Sequence, residues 1–318
     1  MAGTTGTVEA VGNTDISGNA DVMNGTGGAA ARALAALKRY FGYDSFRPGQ
    51  EGLVETIMSG RDVLGVMPTG AGKSVCYQIP AALLPGVTIV VSPLISLMRD
   101  QVDALNDAGL SAAYINTTQD PDEQGMVLAQ AAAGQVRLLY VAPERLETER
   151  FRRFAAHVPI ALIAVDEAHC VSQWGQDFRS AYLGIGEFIA SLPQRPAVAA
   201  FTATATERVR RDIVTLLGLR DPLVTVTGFD RPNLYFDVIR LENKHKAAWV
   251  AQYIAAHPQD SGIVYCSTRK ETEALAEAIN RTVPQLRGAA GGGSAEPGPI
   301  AVAYHGGMLA DQRGRAQR

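Results

Sequence analysis

A run of six apolar residues that ends in two carboxylates constrains the fold of this chain more than any other segment. Residues 160–165 lack the polar–apolar alternation of a half-exposed strand, which is typical of a strand buried on both faces of a parallel sheet. Asp166 and Glu167 follow directly, at the carboxyl end of that strand, where open α/β sheets bind ligands. Carboxylate and phosphate oxygens are the ligands that Mg²⁺ prefers. The segment therefore predicts a parallel α/β sheet with a metal–nucleotide edge.

Strand and helix patterns alternate over much of the chain. Apolar runs predict strands at residues 62–67, 86–92, 136–141, 160–165 and 197–202. Amphipathic patterns lie between and after them, for example at residues 94–108 and 206–217. Such alternation is typical of an α/β domain built on a parallel sheet.

A second, shorter alternation follows. The patterns predict a helix, a strand, a helix and a strand at residues 246–256, 262–266, 270–280 and 300–304, in that order. The Gly- and Pro-rich residues 288–299 predict a flexible insertion before the last strand. Two strands are too few for a stable sheet of this type, so we expect this second domain to be incomplete.

Composition predicts where these domains begin and end. Residues 1–28 are mostly Gly, Thr, Asn, Ala and Asp, which bury too little apolar surface to offset the entropy of ordering, so they predict a disordered tail. A short amphipathic helix at residues 29–40 opens the first domain, which we place at residues 29–227. The turn-rich residues after it lead into the second domain, at residues 228–318.

Bulk properties narrow the class of protein. A content of 47% hydrophobic and 19% charged residues is ordinary for a soluble globular protein, and no apolar run approaches the roughly 20 residues that span a bilayer. We therefore expect a cytoplasmic protein without a membrane partner. Cys76, Cys170 and Cys266 form no Cys-x-x-Cys pair, so no zinc site is predicted and the thiols are expected to be free. The net charge of −3 implies that any contact with nucleic acid comes from local clusters.

Residues 67–74 have the pattern of a phosphate-binding loop between a strand and a helix. Gly70 and Gly72 allow the backbone to approach phosphate oxygens, Lys73 would reach the β- and γ-phosphates of ATP, and Ser74 would bind Mg²⁺. The candidate ATP-binding residues of the loop are Pro68, Thr69, Gly70, Ala71, Gly72, Lys73 and Ser74. The strict pattern has Gly where this chain has Met67, and a surface Gly-rich turn is the alternative.

The carboxylate pair completes this candidate site. Asp166 would hold Mg²⁺ together with Ser74, and Glu167 would orient or deprotonate the attacking water. A helix cap followed by a first-turn acid is the structural alternative. His169, or the hydroxyls of Thr202 and Thr204, would link the site to a second lobe, although a structural histidine and a helix-capping sequence explain them equally well.

Candidate nucleic-acid contacts follow the strands on the same edge. Trp174 and Phe178 lie in a polar loop, where aromatic rings suit base stacking better than core packing. Ser96, Arg99 and Arg145 lie at two further strand-to-helix exits and would hold a sugar-phosphate backbone.

These segments, in this order, resemble the RecQ family of superfamily 2 DNA helicases. Residues 41–50 resemble the adenine-recognising segment of that family, which implies that Tyr43, Arg47 and Gln50 contact the base. Residues 172–179 resemble its aromatic-rich loop, which couples DNA binding to ATP hydrolysis. The resemblance implies coupling roles for Gln173, Trp174, Asp177, Phe178 and Arg179, and a DNA contact for Arg179.

Three later segments extend the resemblance, at residues 228–234, 264–269 and 303–307. Among them Ser267, Arg269 and His305 are implied DNA contacts. The resemblance implies two RecA-like domains and an ATP- and Mg²⁺-dependent 3′-to-5′ helicase in recombination and repair. It also implies single-stranded and forked DNA as partners, single-strand-binding and repair proteins as possible ones, and the bacterial cytoplasm or nucleoid as the location.

In the family the second RecA-like lobe continues with two further motifs, the last of which supplies an arginine to the γ-phosphate, and a four-cysteine zinc subdomain and winged helix usually follow. None of these matches here, so we expect nucleotide binding with poor hydrolysis and unwinding. A nucleotide-responsive DNA-binding fragment and a superfamily 2 RNA helicase remain alternatives. A P-loop kinase is disfavoured because it needs neither an aromatic loop nor a second lobe.

Overall fold

The computed structural model describes residues 26–228, 234–289 and 298–316. The chain divides into two compact units, Met1–Asp230 and Arg231–Arg318. The predicted tail therefore lies outside the described residues up to residue 25, as do the middle of the 228–234 segment and most of the predicted insertion at 288–299.

The first unit is built on a seven-stranded sheet in which every pairing is parallel. The strands are β1 Val63–Val66, β2 Val87–Val91, β3 Ala112–Ile115, β4 Leu138–Val141, β5 Ile160–Val165, β6 Ala197–Thr202 and β7 Leu223–Val226. Their order across the sheet is β3-β4-β2-β5-β6-β1-β7. The predicted parallel α/β fold is thus confirmed, with β5 at its centre.

Helices cover both faces of this sheet. They are α1 Thr26–Phe41, α2 Gln50–Met58, α3 Lys73–Leu83, α4 Ile95–Asp107, α5 Pro121–Ala132, α6 Glu149–His157, α7 Gly184–Ser191 and α8 Glu207–Leu216. Buried residues of α1 to α4 form one apolar core with one set of strand side chains, and those of α5 to α8 form a second core on the other face. Alternate strand residues enter opposite cores because successive side chains of a strand point to opposite faces. This double burial explains the uninterrupted apolar runs.

Sequence patterns missed the two outermost strands, β3 and β7. Both are four residues long and only partly buried, with side chains at Val224 and Val226 exposed. An edge strand lacks a neighbour on one side, so its sequence carries a weaker apolar signal. The first helix was also placed too late, since α1 begins at Thr26 rather than residue 29, and the last residues of the predicted tail are helical. Packing of the helix against the core outweighs the low helix propensity of Gly and Thr.

A buried carboxylate fixes the start of β1. Asp62 is 2% exposed and accepts hydrogen bonds from both terminal nitrogens of Arg195, at 3.0 and 2.6 Å. It also accepts from the backbone N–H groups of Val198 at 2.8 Å and Arg220 at 2.6 Å. These contacts join β1 to β6 and to the segment before β7. A buried charge is tolerated because its oxygens are paired and hydrogen-bonded.

The second unit contains α9 Asn243–Ala256, α10 Arg269–Ala289 and α11 Ala310–Ala316. Its apolar centre consists of Ala251, Ile279 and Val283. The predicted strands at 262–266 and 300–304 are wrong, because neither segment pairs in a ladder and Tyr265 is 91% exposed. The apolar sequence favours an extended chain, but a strand forms only beside a partner strand.

The helix predicted at 270–280 is longer than expected and ends at Ala289, so it includes the first residues of the predicted insertion. Among the described helices, none has the length and apolar character required to cross a membrane.

Candidate nucleotide-binding site and aromatic loop

The candidate phosphate loop connects β1 to α3. The Met67 N–H donates to the Thr202 carbonyl at 2.9 Å, which extends the β1–β6 pairing into the loop. Gly70 and Gly72 have φ values of 84° and 80°, in the left-handed region that favours glycine. Gly72 caps α3, whose first residues are Lys73 and Ser74. The helix N-terminus therefore faces the loop, in the arrangement that binds anions.

The Lys73 side chain is hydrogen-bonded to the backbone of the loop. Lys73 Nζ donates to the Met67 carbonyl at 3.2 Å, which curls the side chain back over the loop. The seven residues predicted to bind ATP thus form one loop and the first turn of one helix. Their individual roles stay predictions.

Gln50 and Arg47 brace this loop. Gln50 is 3% exposed, and its Nε2 donates to the carbonyls of Ala71 and Gly72, each at 3.0 Å. Its Oε1 accepts from the Arg47 N–H at 2.8 Å, and Arg47 Nη1 donates to the Gly70 carbonyl at 2.5 Å. Three consecutive loop carbonyls are therefore bound on one side. Sequence reasoning gave these residues base contacts only, and this bracing role was missed because it depends on the loop backbone.

Tyr43, the third predicted base contact, lies next to this brace. Its ring is about half exposed, and the Arg47 guanidinium carbon is 6.0 Å from the ring centroid. Arg47 is therefore a neighbour of both the Tyr43 ring and the Gly70 carbonyl of the loop.

The carboxylates lie at the end of β5, beside the loop. The Asp166 N–H donates to the Val91 carbonyl at 2.9 Å and continues the ladder, while the Tyr182 hydroxyl donates to the Asp166 carbonyl at 2.9 Å. Glu167 has a φ of 47°, and its N–H donates to Asp166 Oδ1 at 2.9 Å. A non-glycine residue in this region is uncommon and is found at functional sites.

The electrostatics around Asp166 fit a cation. Burial, with a further contribution from Glu167, raises the pKa of the Asp166 carboxyl to about 6, and Lys73 opposes this shift. A divalent cation beside the carboxylate would offset both the lost hydration and the repulsion. Among the described residues no group of three or more His, Cys, Asp and Glu side chains forms a metal cage of its own. The donors therefore fit Mg²⁺ that keeps phosphate and water ligands, as Mg²⁺ usually does.

His169 connects Glu167 to β6. Its Nδ1 lies 2.8 Å from Thr202 Oγ1 and 3.3 Å from Glu167 Oε2. The Thr202 hydroxyl, which is fully buried, donates to the Thr204 carbonyl at 3.2 Å, so it accepts from His169. Burial lowers the pKa of His169 below its usual value, which favours the neutral ring with its proton on Nδ1. The structure thus brings together the three predicted linking residues.

The aromatic loop packs directly on this group. A Cβ atom at Gly175 would lie 2.2 Å from the His169 carbonyl oxygen, so only glycine fits there. Arg179 pairs with Asp177 Oδ2 at 2.7 Å and donates to the Pro93 carbonyl at 3.0 Å. Trp174 is 62% exposed, and Phe178 and Gln173 are exposed beside it.

The loop is also tied to α8 by residues that sequence reasoning missed. The Ser172 hydroxyl donates to Asp212 Oδ2 at 2.6 Å and accepts from the Trp174 N–H at 3.1 Å. Arg208, one turn before Asp212, lies over the Trp174 ring. No local pattern identifies Asp212 or Arg208, because their partners are about 35 to 40 residues away along the chain.

The remaining predicted DNA contacts are spread over both units. Arg99 is exposed on α4, and Ser96 lies in the same helix, although its side chain is outside the described part. Arg145 ends a short 3₁₀ helix after β4 and is half-buried. In the second unit Ser267 and Arg269 are exposed, and His305 Nε2 is 2.9 Å from Glu273 Oε1. Their roles stay predictions.

A candidate nucleotide site at the ends of parallel strands, beside a loop of exposed aromatic side chains, is the arrangement expected of a nucleic-acid motor protein. Comparison with known proteins agrees with this class. The chain belongs to the DEAD/DEAH box helicase family, whose model matches residues 47–213.

The predicted resemblance to RecQ helicases is confirmed. The chain is 42% identical to the ATP-dependent DNA helicase RecQ of Bacillus subtilis over 90% of this chain and 46% of the relative. For RecQ of Haemophilus influenzae the values are 41%, 90% and 43%. The chain therefore spans about half the length of the curated relatives it matches.

Solved structures support the fold. The Mycobacterium smegmatis helicase Lhr matches with a TM-score of 0.64 at 20% identity, over 89% of this chain and 39% of that one. The DUF1998 helicase MrfA bound to DNA matches with a TM-score of 0.63 at 17% identity, over 89% and 42%.

Proposed function

We propose that this chain supplies the ATP-hydrolysing and DNA-sensing part of a RecQ-type DNA helicase that moves 3′ to 5′ and acts in recombination and repair. The observation that carries this proposal is the direct contact between the two sites: Gly175 of the aromatic loop packs on the carbonyl of His169, whose ring reaches Glu167. A nucleotide-binding protein that does not act on nucleic acid would not need such a contact.

The nucleotide would lie on the loop between β1 and α3. Bound ATP with Mg²⁺ would supply the γ-phosphoryl group and the positive charge that stabilises its transfer. Lys73 would neutralise the terminal phosphates, and Ser74 and Asp166 would hold the cation. Gln50 and Arg47 keep the loop open by binding its carbonyls, and Tyr43 offers a ring for the adenine.

Glu167 is the residue that we assign to the attacking water. Its carboxylate accepts the hydrogen bond of that water and takes up the proton that is released. His169 Nδ1, 3.3 Å from Glu167 Oε2, limits the positions that the carboxylate adopts. Thr202 fixes the ring of His169 in turn, through the 2.8 Å contact with Nδ1.

Single-stranded DNA would stack on Trp174 and Phe178 and shift the loop. Because Gly175 has no free space beside the His169 carbonyl, that shift is passed to the residue that positions Glu167. DNA binding thereby changes the geometry of hydrolysis. Arg99, Arg145 and Arg179 would contact the sugar-phosphate backbone, together with Ser96 and, from the second unit, Ser267, Arg269 and His305.

The partners follow from this activity. We propose single-stranded and forked DNA as the substrates, single-strand-binding and repair proteins as functional partners, and the bacterial cytoplasm or nucleoid as the location. The identities of the relatives support the DNA substrate, since the RecQ proteins of two bacteria are named as DNA helicases.

The test separates nucleotide binding from its control by DNA. A fluorescent ATP analogue with Mg²⁺ should bind the chain, and Lys73→Ala should weaken binding by more than tenfold. Single-stranded DNA should change the affinity or the hydrolysis rate of the wild type, and Glu167→Gln should bind nucleotide but lose any hydrolysis. An equal or larger effect of single-stranded RNA would favour the RNA helicase alternative. Binding of nucleotide that no strand affects would contradict the coupling.

A further inference from the structure

Arg208 lies over the exposed indole of the aromatic loop. Its guanidinium carbon is 3.6 Å from the centroid of the Trp174 ring. An approach this close is possible only over the face of the ring, because an in-plane approach would overlap its edge. The contact therefore covers one face of the indole, and since the side chain is 62% exposed, the rest remains open to solvent.

The same helix holds the loop at a second point. Arg208 and Asp212 are four residues apart on α8, so their side chains project from the same face of the helix. Asp212 accepts from Ser172 at 2.6 Å, and Ser172 accepts from the Trp174 N–H at 3.1 Å. Trp174 is therefore held through its backbone and through its ring by one rigid element.

The charge of Arg208 forms no ion pair with the described residues. Arg211, on the same helix, pairs with Glu207 at 3.0 Å, whereas no carboxylate in the described part of the chain lies within ion-pair distance of Arg208. Stacking occupies the flat face of a guanidinium and leaves its N–H groups at the edge available. Those donors match the oxygens of a phosphate.

We propose that Arg208 and Trp174 together bind one nucleotide unit of a single strand. The base stacks on the open face of the indole, and the adjacent phosphate binds the edge of the guanidinium. Arg208 also positions the indole, since it fixes the ring from the opposite face. This inference rests on the proposed function, because it assigns a further residue to the DNA-binding loop.

The chain offers a clean optical reporter for the test. It has two tryptophans, and the second, Trp249, stacks on Tyr253 in the other unit with ring centroids 5.4 Å apart. In a Trp249→Phe parent, Trp174 is the sole source of tryptophan fluorescence. Quenching by a thymine oligonucleotide then reports stacking at this residue, and its titration at several salt concentrations gives the affinity and the number of phosphate contacts.

Arg208→Ala in this parent should weaken binding by about three- to tenfold and reduce the salt slope by about 0.7, the value for one phosphate contact on a single strand. Arg208→Lys should keep the slope, because the charge remains, but show weaker binding and less quenching because the flat guanidinium is lost. Arg211→Ala removes the same charge from the same helix and should match the parent.

Equal affinities for the Arg208→Ala and Arg211→Ala variants would overturn the role of Arg208 while leaving the proposed function intact. Tighter binding by Arg208→Ala would also overturn it, since the guanidinium would then mask the indole. Failure of the parent itself to bind the oligonucleotide would contradict the proposed function, and with it this inference.

Discussion

Asp166 is a candidate site residue whose ionisation changes when the chain folds. The unfolded carboxyl titrates near pH 4, whereas burial and Glu167 raise the pKa of the folded one to about 6. Between these values the folded state binds more protons. The free energy of unfolding therefore falls as pH rises through this window, and above it the charged carboxylate costs about 2–3 kcal/mol.

Asp166→Asn should remove this cost. We expect the variant to be more stable than the wild type at pH 7.5 by roughly 2 kcal/mol and nearly equal to it near pH 4.5. Urea unfolding followed by circular dichroism across this range measures the difference. A difference that is constant with pH would contradict the raised pKa.

Two roles are proposed for Gln50, bracing of the phosphate loop and contact with the base, and a ligand without a base tests the first one alone. Gln50→Leu keeps the volume but removes the donors to the Ala71 and Gly72 carbonyls. We expect it to weaken binding of inorganic triphosphate, which has no base, by about tenfold, as the loss of two hydrogen bonds implies. Tyr43→Ala should weaken the binding of ATP but leave the binding of inorganic triphosphate unchanged. If Gln50→Leu binds inorganic triphosphate as well as the wild type does, Gln50 does not contribute to phosphate binding, and its role would be limited to contact with the base.

At the scale of elements, the start of β1 depends on Asp62. Asp62→Ala removes a carboxylate that four donors bind and leaves Arg195 without its partner in a largely buried position. We expect a loss of about 3–5 kcal/mol in the free energy of unfolding. Arg61, the residue before Asp62, forms an exposed ion pair with Asp221, so Arg61→Ala should reduce the free energy of unfolding by less than about 1 kcal/mol. Similar losses in both variants would show that Asp62 contributes no more than a surface charge.

The elements also show where sequence patterns succeed. The strands buried on both faces, such as β2 and β5, were predicted because burial leaves an unbroken apolar run. The edge strands β3 and β7 were missed because partial exposure weakens that run. The segments at 262–266 and 300–304 carry the same apolar signal as true strands, but no partner strand pairs with them in the described chain. Local sequence thus sets the propensity of a segment to form a strand, but the strand forms only where a partner strand pairs with it.

At the scale of the whole molecule, the two units differ in how much apolar surface they bury. The first has a core on each face of a seven-stranded sheet, whereas the apolar cluster among the described residues of the second contains three buried residues. We expect amides of α9 and α10 to exchange with deuterium at least 100-fold faster than those of β2 and β5, since local opening follows the density of buried contacts. Hydrogen exchange with mass spectrometry measures this. Equal protection of both units would contradict it.

The candidate site could be predicted from sequence as far as its parts are local. The phosphate loop, the carboxylate pair and the aromatic residues each occupy a short segment, so local sequence was enough to make them candidates. The contacts that join these parts were not predictable. Gln50 on the loop carbonyls, Gly175 on His169 and Arg208 on Trp174 each depend on how separate segments meet in three dimensions.

The strand order has a further consequence for how such a chain can diversify. On one side of β5 lie β6, whose end carries the predicted linking threonines, and β1, whose end carries the candidate phosphate loop. On the other side lie β2 and β4, whose ends carry the predicted backbone contacts. The candidate phosphate loop and the predicted backbone contacts of the first unit therefore lie on separate halves of one sheet edge, joined by the segment after β5. We therefore expect that substitutions in one half can change the nucleotide preference or the nucleic-acid preference without changing the other. The condition is that the fourteen residues from Asp166 to Arg179 keep their contacts with both halves.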